Sequence, residues 1–169
     1  MDNDTNTRDA LNRVIEVFKK RPQKALSTNH ASAVVEDGLK CIFTQGDQSA
    51  AMDMPKIMGG DDAGPTPGFF ARAGIAGCVS MGIKQAAILA GLAFDKVTVD
   101  IETDFDDGAS LGLGTTSAAP LETRLAIRIE TDVPEAEVSA LIDKVLGMDP
   151  WFLALRDAQS VKTQIVVEG

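Results

Sequence analysis

Gly59-Gly60-Asp61-Asp62-Ala63-Gly64-Pro65-Thr66-Pro67, leading through an apolar run to Ala76-Gly77-Cys78-Val79-Ser80-Met81, is the stretch that decides the fold. Glycine, aspartate and proline punctuate a loop in its first part. Thr66 suits a helix N-cap, and Pro67 suits the first helical position because it lacks only an N–H that would be unpaired there. The run that follows predicts a helix over 67–90 with Gly91 as its C-cap. Ala71, Gly74, Ala76, Gly77, Ser80 and Gly82 give that helix a narrow waist, so another backbone can approach it closely. Its expected place is the centre of the fold or the contact with a symmetry mate. Arg72, Lys84 and Gln85 break the apolar run, so it reads as a core helix and not a membrane span. Cys78 lies about three turns into it, at about 1.5 Å rise per residue.

Upstream, Leu11, Val14, Ile15 and Phe18 mark one face of a helix over 8–20, closed by Lys19, Lys20 and Arg21 before Pro22. Residues 30–36 and 39–45 read as strands of a hairpin around Asp37-Gly38, and 51–54 as a third short strand. Downstream, 95–103 and 121–131 alternate as half-buried antiparallel strands, with Leu121, Thr123, Leu125, Ile127 and Ile129 on one face of the second. The connection 104–120 reads as a long mobile loop. Pro134 opens a helix, a short helix follows Pro150, and Ser160 to Val167 alternates as a final strand. The order α-β-β-β-α-β-β-α-α-β predicts an α+β fold in one domain, 1–169, with 1–22 as an N-terminal helical extension. So small a sheet needs more cover than one chain supplies, which predicts a dimer.

At 44% hydrophobic and 24% charged residues, the chain is composed like an ordinary soluble domain with a real core. A net charge of −9 argues against nucleic acid or an anionic membrane surface as partner, since both need a basic face. Two cysteines are too few for a disulfide framework. The polar opening Met1-Asp2-Asn3-Asp4-Thr5 carries no secretory signal, and the cytoplasm is the expected location. His30, the lone histidine, has no Cys or carboxylate partner at ligand spacing, so no metal is expected. The glycine-rich loop lacks Gly-Lys-Ser/Thr and does not read as a nucleotide loop; no cofactor is expected.

The Gly59-Gly60 loop, the Pro65-Thr66-Pro67 helix start and the thiol at Cys78 together resemble the OsmC/Ohr family. So do the long hairpin, the helix after Pro134 and the Asp149-Pro150 junction. The resemblance implies antiparallel sheets around a long central helix, in an intertwined homodimer with two active sites at the subunit interface. It implies a cysteine thiolate, at Cys78, that attacks the O–O bond of a hydroperoxide and becomes a sulfenic acid. In that family an arginine from the N-terminal sheet region stabilises the thiolate and a glutamate at the helix start orients it. A second cysteine, followed by proline, condenses with the sulfenic acid.

This chain departs from that set. The position resembling the glutamate is Gly68, and the position resembling the second cysteine is Asp149. No arginine lies between His30 and Gly59. Arg72 is six residues before Cys78, about 240° around the helix at 3.6 residues per turn, so the two do not share a face. A negative charge at Asp149 beside Cys78 raises the thiol pKa. Loss of the dithiol peroxidase cycle is therefore expected. Cys41, on the second strand with Leu39 and Phe43, reads as a small core hydrophobe, or as a relocated resolving cysteine if its Cα comes within about 7 Å of that of Cys78. Met52, Met54, Met58 and Met81 are candidates to line an adaptable apolar pocket. Trp151 and Phe152 are expected near the same site as Asp149.

Two functions follow. One is a one-cysteine reductase of hydroperoxides or other electrophiles in oxidative stress, built on Cys78 with an external thiol reductant. The other is a redox-inactive relative that binds a small apolar ligand at the dimer interface.

Overall fold

A computed structural model describes residues 3–168. The polar opening at Met1 and Asp2 lies outside the described residues. Helix α1 spans Asn3–Lys20, five residues further N-terminal than its apolar period predicts. The early turn is polar and so invisible to periodicity. Contacts to the central helix anchor it: Lys84 Nζ pairs with Asp4 at 3.1 Å, and Arg8 donates to the Ile88 carbonyl.

Strands β1 (Ser32–Val35), β2 (Cys41–Gln45) and β3 (Gln48–Met52) form an antiparallel sheet in sequence order. Gly38 and Gly46 have positive φ at the two hairpins, a backbone region that glycine enters without steric cost. The Gly46-Asp47 turn starts β3 three residues earlier than its apolar residues alone suggest. Apolar side chains of this sheet stand in solvent, among them Val34, Val35 and Ile42.

The loop that follows folds back onto β3 around a buried carboxylate. Asp53 accepts hydrogen bonds from the backbone N–H groups of Met54, Asp61 and Ala63, at 2.8, 3.0 and 3.0 Å. Two of its three glycines are sterically required. A Cβ on Gly60 would fall 1.9 Å from the Met54 carbonyl oxygen, and one on Gly64 would fall 2.5 Å from that of Ala51.

Helix α2 spans Pro67–Ala90. Thr66 caps it through the Phe69 N–H and Gly91 closes it in the left-handed conformation, as the sequence predicts. The helix is long and apolar enough to cross a membrane by length and composition alone. It is instead the helix on which α1, α4 (Glu135–Leu146), α5 (Pro150–Arg156) and β4 (Lys96–Asp104) pack. Strands β4 (Lys96–Asp104) and β5 (Glu122–Glu130) form a long antiparallel pair, with Val99 opposite Ile127 and Ile101 opposite Leu125. Val97, Val99, Leu125, Ile127 and Ile129 turn inward onto the core. On the outer face Arg124 pairs with Asp104, Glu122 and Glu102, and Arg128 with Asp100. Helices α4 (Glu135–Leu146) and α5 (Pro150–Arg156) complete the layer.

The buried core is Val79, Ile83, Ala87, Phe94 and Val145. Side chains like Ile83 and Phe94 contribute about 1.5–3 kcal/mol each when fully buried. This is an α+β architecture of two antiparallel sheets and a long helix, with the β4-β5 pair packed on that helix.

Two expectations need correction. The connection 104–120 contains a short helix, α3 (Asp107–Ser110), capped by Asp106 through the Ala109 N–H. Ser160 to Val167 forms no strand. Val161, Ile165 and Val167 are 80–90% exposed, because no sheet edge of the same chain receives them.

Candidate functional site

Helical spacing builds one wall of the site. Cys78, Met81, Gly82, Gln85, Ala86 and Leu89 recur at three- and four-residue steps, so they share one face of α2. Val79, Ile83 and Ala87 share another face and are fully buried. The other wall is the end of α4 and the start of α5: Val145, Met148, Asp149 and Pro150. Between the walls lies an open cleft of about 380 Å³. Gly82 permits the close approach, since a Cβ there would stand 3.3 Å from Val145 Cγ1 and 3.6 Å from Asp149 Oδ2.

Asp149 is 4% exposed. It is the N-cap of α5, and its Oδ1 accepts the N–H groups of Trp151 and Phe152 at 3.1 and 2.8 Å. That role explains why a carboxylate suits the position: aspartate is among the preferred N-caps, and Pro150 fits the first helical position. The same carboxylate faces the Cys78 thiol. Burial pushes the thiol pKa up, and hydrogen bonding to Asp149 and its negative charge push it further; the Trp151 N–H pulls it partly back. Lysine, arginine and histidine are absent from the cleft lining among the described residues. The site is therefore a protonated thiol beside a buried acceptor, with an apolar wall.

Cys78 and Asp149 are thus brought together, and Cys41 is not. Cys41 lies on β2 opposite Val35 and Met52, half-buried and outside the cleft lining, and both thiols are free. Arg72 points elsewhere, as its helical angle predicts: its guanidinium curls back over Gly68, 3.3 Å from where a Cβ would stand. Of the four candidate methionines only Met81 lines the cleft, joined by Met148. Phe152 packs on the core, while Trp151 lines a second apolar cavity with Phe70 and Leu155. Met148 and Gln85 are lining residues that sequence reasoning missed. Stepping by three and four from Cys78 would have found Gln85.

A family model described as OsmC-like protein matches residues 59–164, from the glycine loop through α5. The chain belongs to the OsmC-like family. Solved structures share this OsmC-like fold at low identity. An OsmC-like protein from Mycoplasma pneumoniae is 17% identical with a TM-score of 0.66, covering 77% of this chain and 88% of its own. An organic hydroperoxide resistance protein OsmC from Legionella pneumophila is 23% identical with a TM-score of 0.56, covering 78% and 90%. An organic hydroperoxide resistance protein from Vibrio cholerae, with captopril in one of its active sites, is 20% identical with a TM-score of 0.51, covering 78% and 87%. Among curated proteins no sequence matches the chain. The α1 segment lies before the matched part of this OsmC-like chain.

Proposed function

We propose that this OsmC-like protein is a one-cysteine thiol reductase of organic hydroperoxides in the cytoplasm, acting as a homodimer. The observation that carries the reading is the position of Cys78, on the face of α2 that opens to an apolar-walled cleft. In the reaction, Cys78 first loses its proton to solvent, the thiolate Sγ attacks the distal oxygen of ROOH, the departing RO⁻ takes a proton from solvent, and the products are the sulfenic acid and ROH. An external dithiol then reduces the sulfenic acid, giving water, a disulfide of the reductant and free Cys78. An external thiol fits better than Cys41, which stands outside the cleft. The thiolate is the nucleophile, so a raised thiol pKa makes the reaction slow at neutral pH and faster as pH rises.

The dimer reading is supported by apolar surface that one chain leaves uncovered. Val34, Val35 and Ile42 on the first sheet, and Val161, Ile165 and Val167 in the tail, are surfaces a second copy would cover. Residues 1–169 then act as one domain, with 1–22 as an extension.

A second reading is favoured by Asp149 beside Cys78 and by Gly68 at the helix start. In it the redox chemistry is lost and the cleft holds a small amphipathic ligand, in the manner of the captopril site of the Vibrio cholerae protein. The parent and Cys78→Ser, assayed with an alkyl hydroperoxide and a dithiol reductant, separate the two. Loss of rate in the variant supports the reductase; equal rates leave ligand binding.

A further inference from the structure

The cleft beside Cys78 contains a charge with no counter-charge. Asp149 is 4% exposed, yet Lys, Arg and His are absent from the lining among the described residues. Its Oδ1 is occupied by two backbone N–H groups. An ionised carboxylate offers about four acceptor sites on its two oxygens, and with the Cys78 thiol only three donors are engaged. A buried charge is stable when paired and fully hydrogen-bonded, so the remaining capacity selects a donor, and a cationic donor above all. Away from the carboxylate the wall turns apolar: Met81, Ala86, Leu89 and Met148. Met81 and Met148 are more than 60% exposed, and such flexible thioether side chains adapt to an alkyl chain.

We infer that the cleft takes a small amphiphile with a protonated amine or other N–H donor head, seated on Asp149, with its alkyl chain along Met81, Leu89 and Met148. Molecules with a carboxylate head are rejected by the same charge. For a peroxide substrate this selects neutral or cationic alkyl hydroperoxides over acidic ones. The inference shares the location of the proposed reaction but not its chemistry, so binding is measured without peroxide.

Octylammonium, octanol and octanoate are titrated calorimetrically at pH 7 into the parent, Cys78→Ser and Asp149→Asn. The asparagine keeps a cap oxygen and removes the charge. Octylammonium is expected to bind the parent roughly tenfold or more tighter than octanoate, the scale of one charge-assisted hydrogen bond. Cys78→Ser keeps that preference even if its peroxide chemistry is abolished, so failure of the reductase reading leaves this result intact. Asp149→Asn brings the two ligands within about twofold of each other. Three outcomes overturn the inference: no binding, octanoate tighter than octylammonium, or an unchanged preference in Asp149→Asn. The last assigns the preference to the acidic surface as a whole.

Discussion

Replacing Asp149 separates two roles that one carboxylate plays. As N-cap it holds the N–H groups of Trp151 and Phe152, and as a buried charge it faces the Cys78 thiol. Asp149→Ala removes both. Loss of the cap costs about 1–2 kcal/mol, and loss of a negative charge at a helix start about 0.3–1 kcal/mol more. Together these are roughly 1.5–3 kcal/mol, or a fall in Tm of roughly 3–12 °C at about 2–4 °C per kcal/mol for a chain of this size. Asp149→Asn retains an oxygen for the two N–H groups, so most of that loss is spared. Toward the thiol the variants behave alike. Both remove the negative charge, so both lower the Cys78 pKa relative to the parent, leaving burial as the remaining cause that raises it. The assays are thermal unfolding and the pH dependence of iodoacetamide alkylation, with Cys78→Ser as the background from Cys41. Expected are an alkylation curve moved to lower pH in both variants and a large Tm loss in Asp149→Ala alone. An unmoved curve in Asp149→Asn would refute electrostatic control of the thiol. Equal Tm losses would refute the cap.

Other consequences rest on different parts of the chain. Gly68→Glu places a carboxylate in the first turn of α2, four residues before Arg72, whose guanidinium already lies over that position. Removing a helical glycine, adding an i,i+4 pair and complementing the dipole are together worth about 1–2 kcal/mol, so chemical denaturation should show a stabilised protein; a destabilised one contradicts the placement of Arg72. Three backbone N–H groups, that of Ala63 foremost, hold the Asp53 carboxyl below its ordinary pKa. A lowered folded-state pKa contributes stability above the unfolded value, near 3.9, which is lost as pH falls through the folded value. Asp53→Asn should therefore be less stable than the parent at pH 6, and the gap should begin to narrow only as pH falls below about 4 and go on narrowing through the lowered folded value; a gap independent of pH would show that the charge is immaterial.

The central helix was legible in the sequence because its ends carry their own chemistry. Thr66, Pro67 and Gly91 specify a start and a stop locally, and no distant residue is needed to read them. The long hairpin was legible for a similar reason: strict alternation from Leu121 to Ile129 fixes which face turns inward, and the observed register obeys it. Asp53 was not legible. Its value lies in reaching N–H groups eight and ten residues away, and nothing in Met52-Asp53-Met54 announces that. The tail failed for the opposite reason. Val161, Thr163, Ile165 and Val167 have strand periodicity, but a strand also requires a partner edge, and the tail pairs with neither sheet of its own chain.

The pairing of Cys78 with Asp149 also bears on how such a site can change without the fold failing. Residue 149 sits where α5 begins, so whatever stands there must satisfy N–H groups at the helix start or leave them unpaired in a buried place. Aspartate does this better than a thiol, whose sulfur is a weak acceptor. A carboxylate here therefore strengthens α5 while weakening the nucleophile across the cleft. The two effects have one cause, the charge on Asp149, and the helix gains what the thiol loses. It follows that Asp149→Cys should make Cys78 more reactive and place a second sulfur within the same cleft, at the expense of α5. Disulfide formation on peroxide treatment, together with a lowered Tm, is the expected result. A variant as stable as the parent would break the link between the cap and the chemistry.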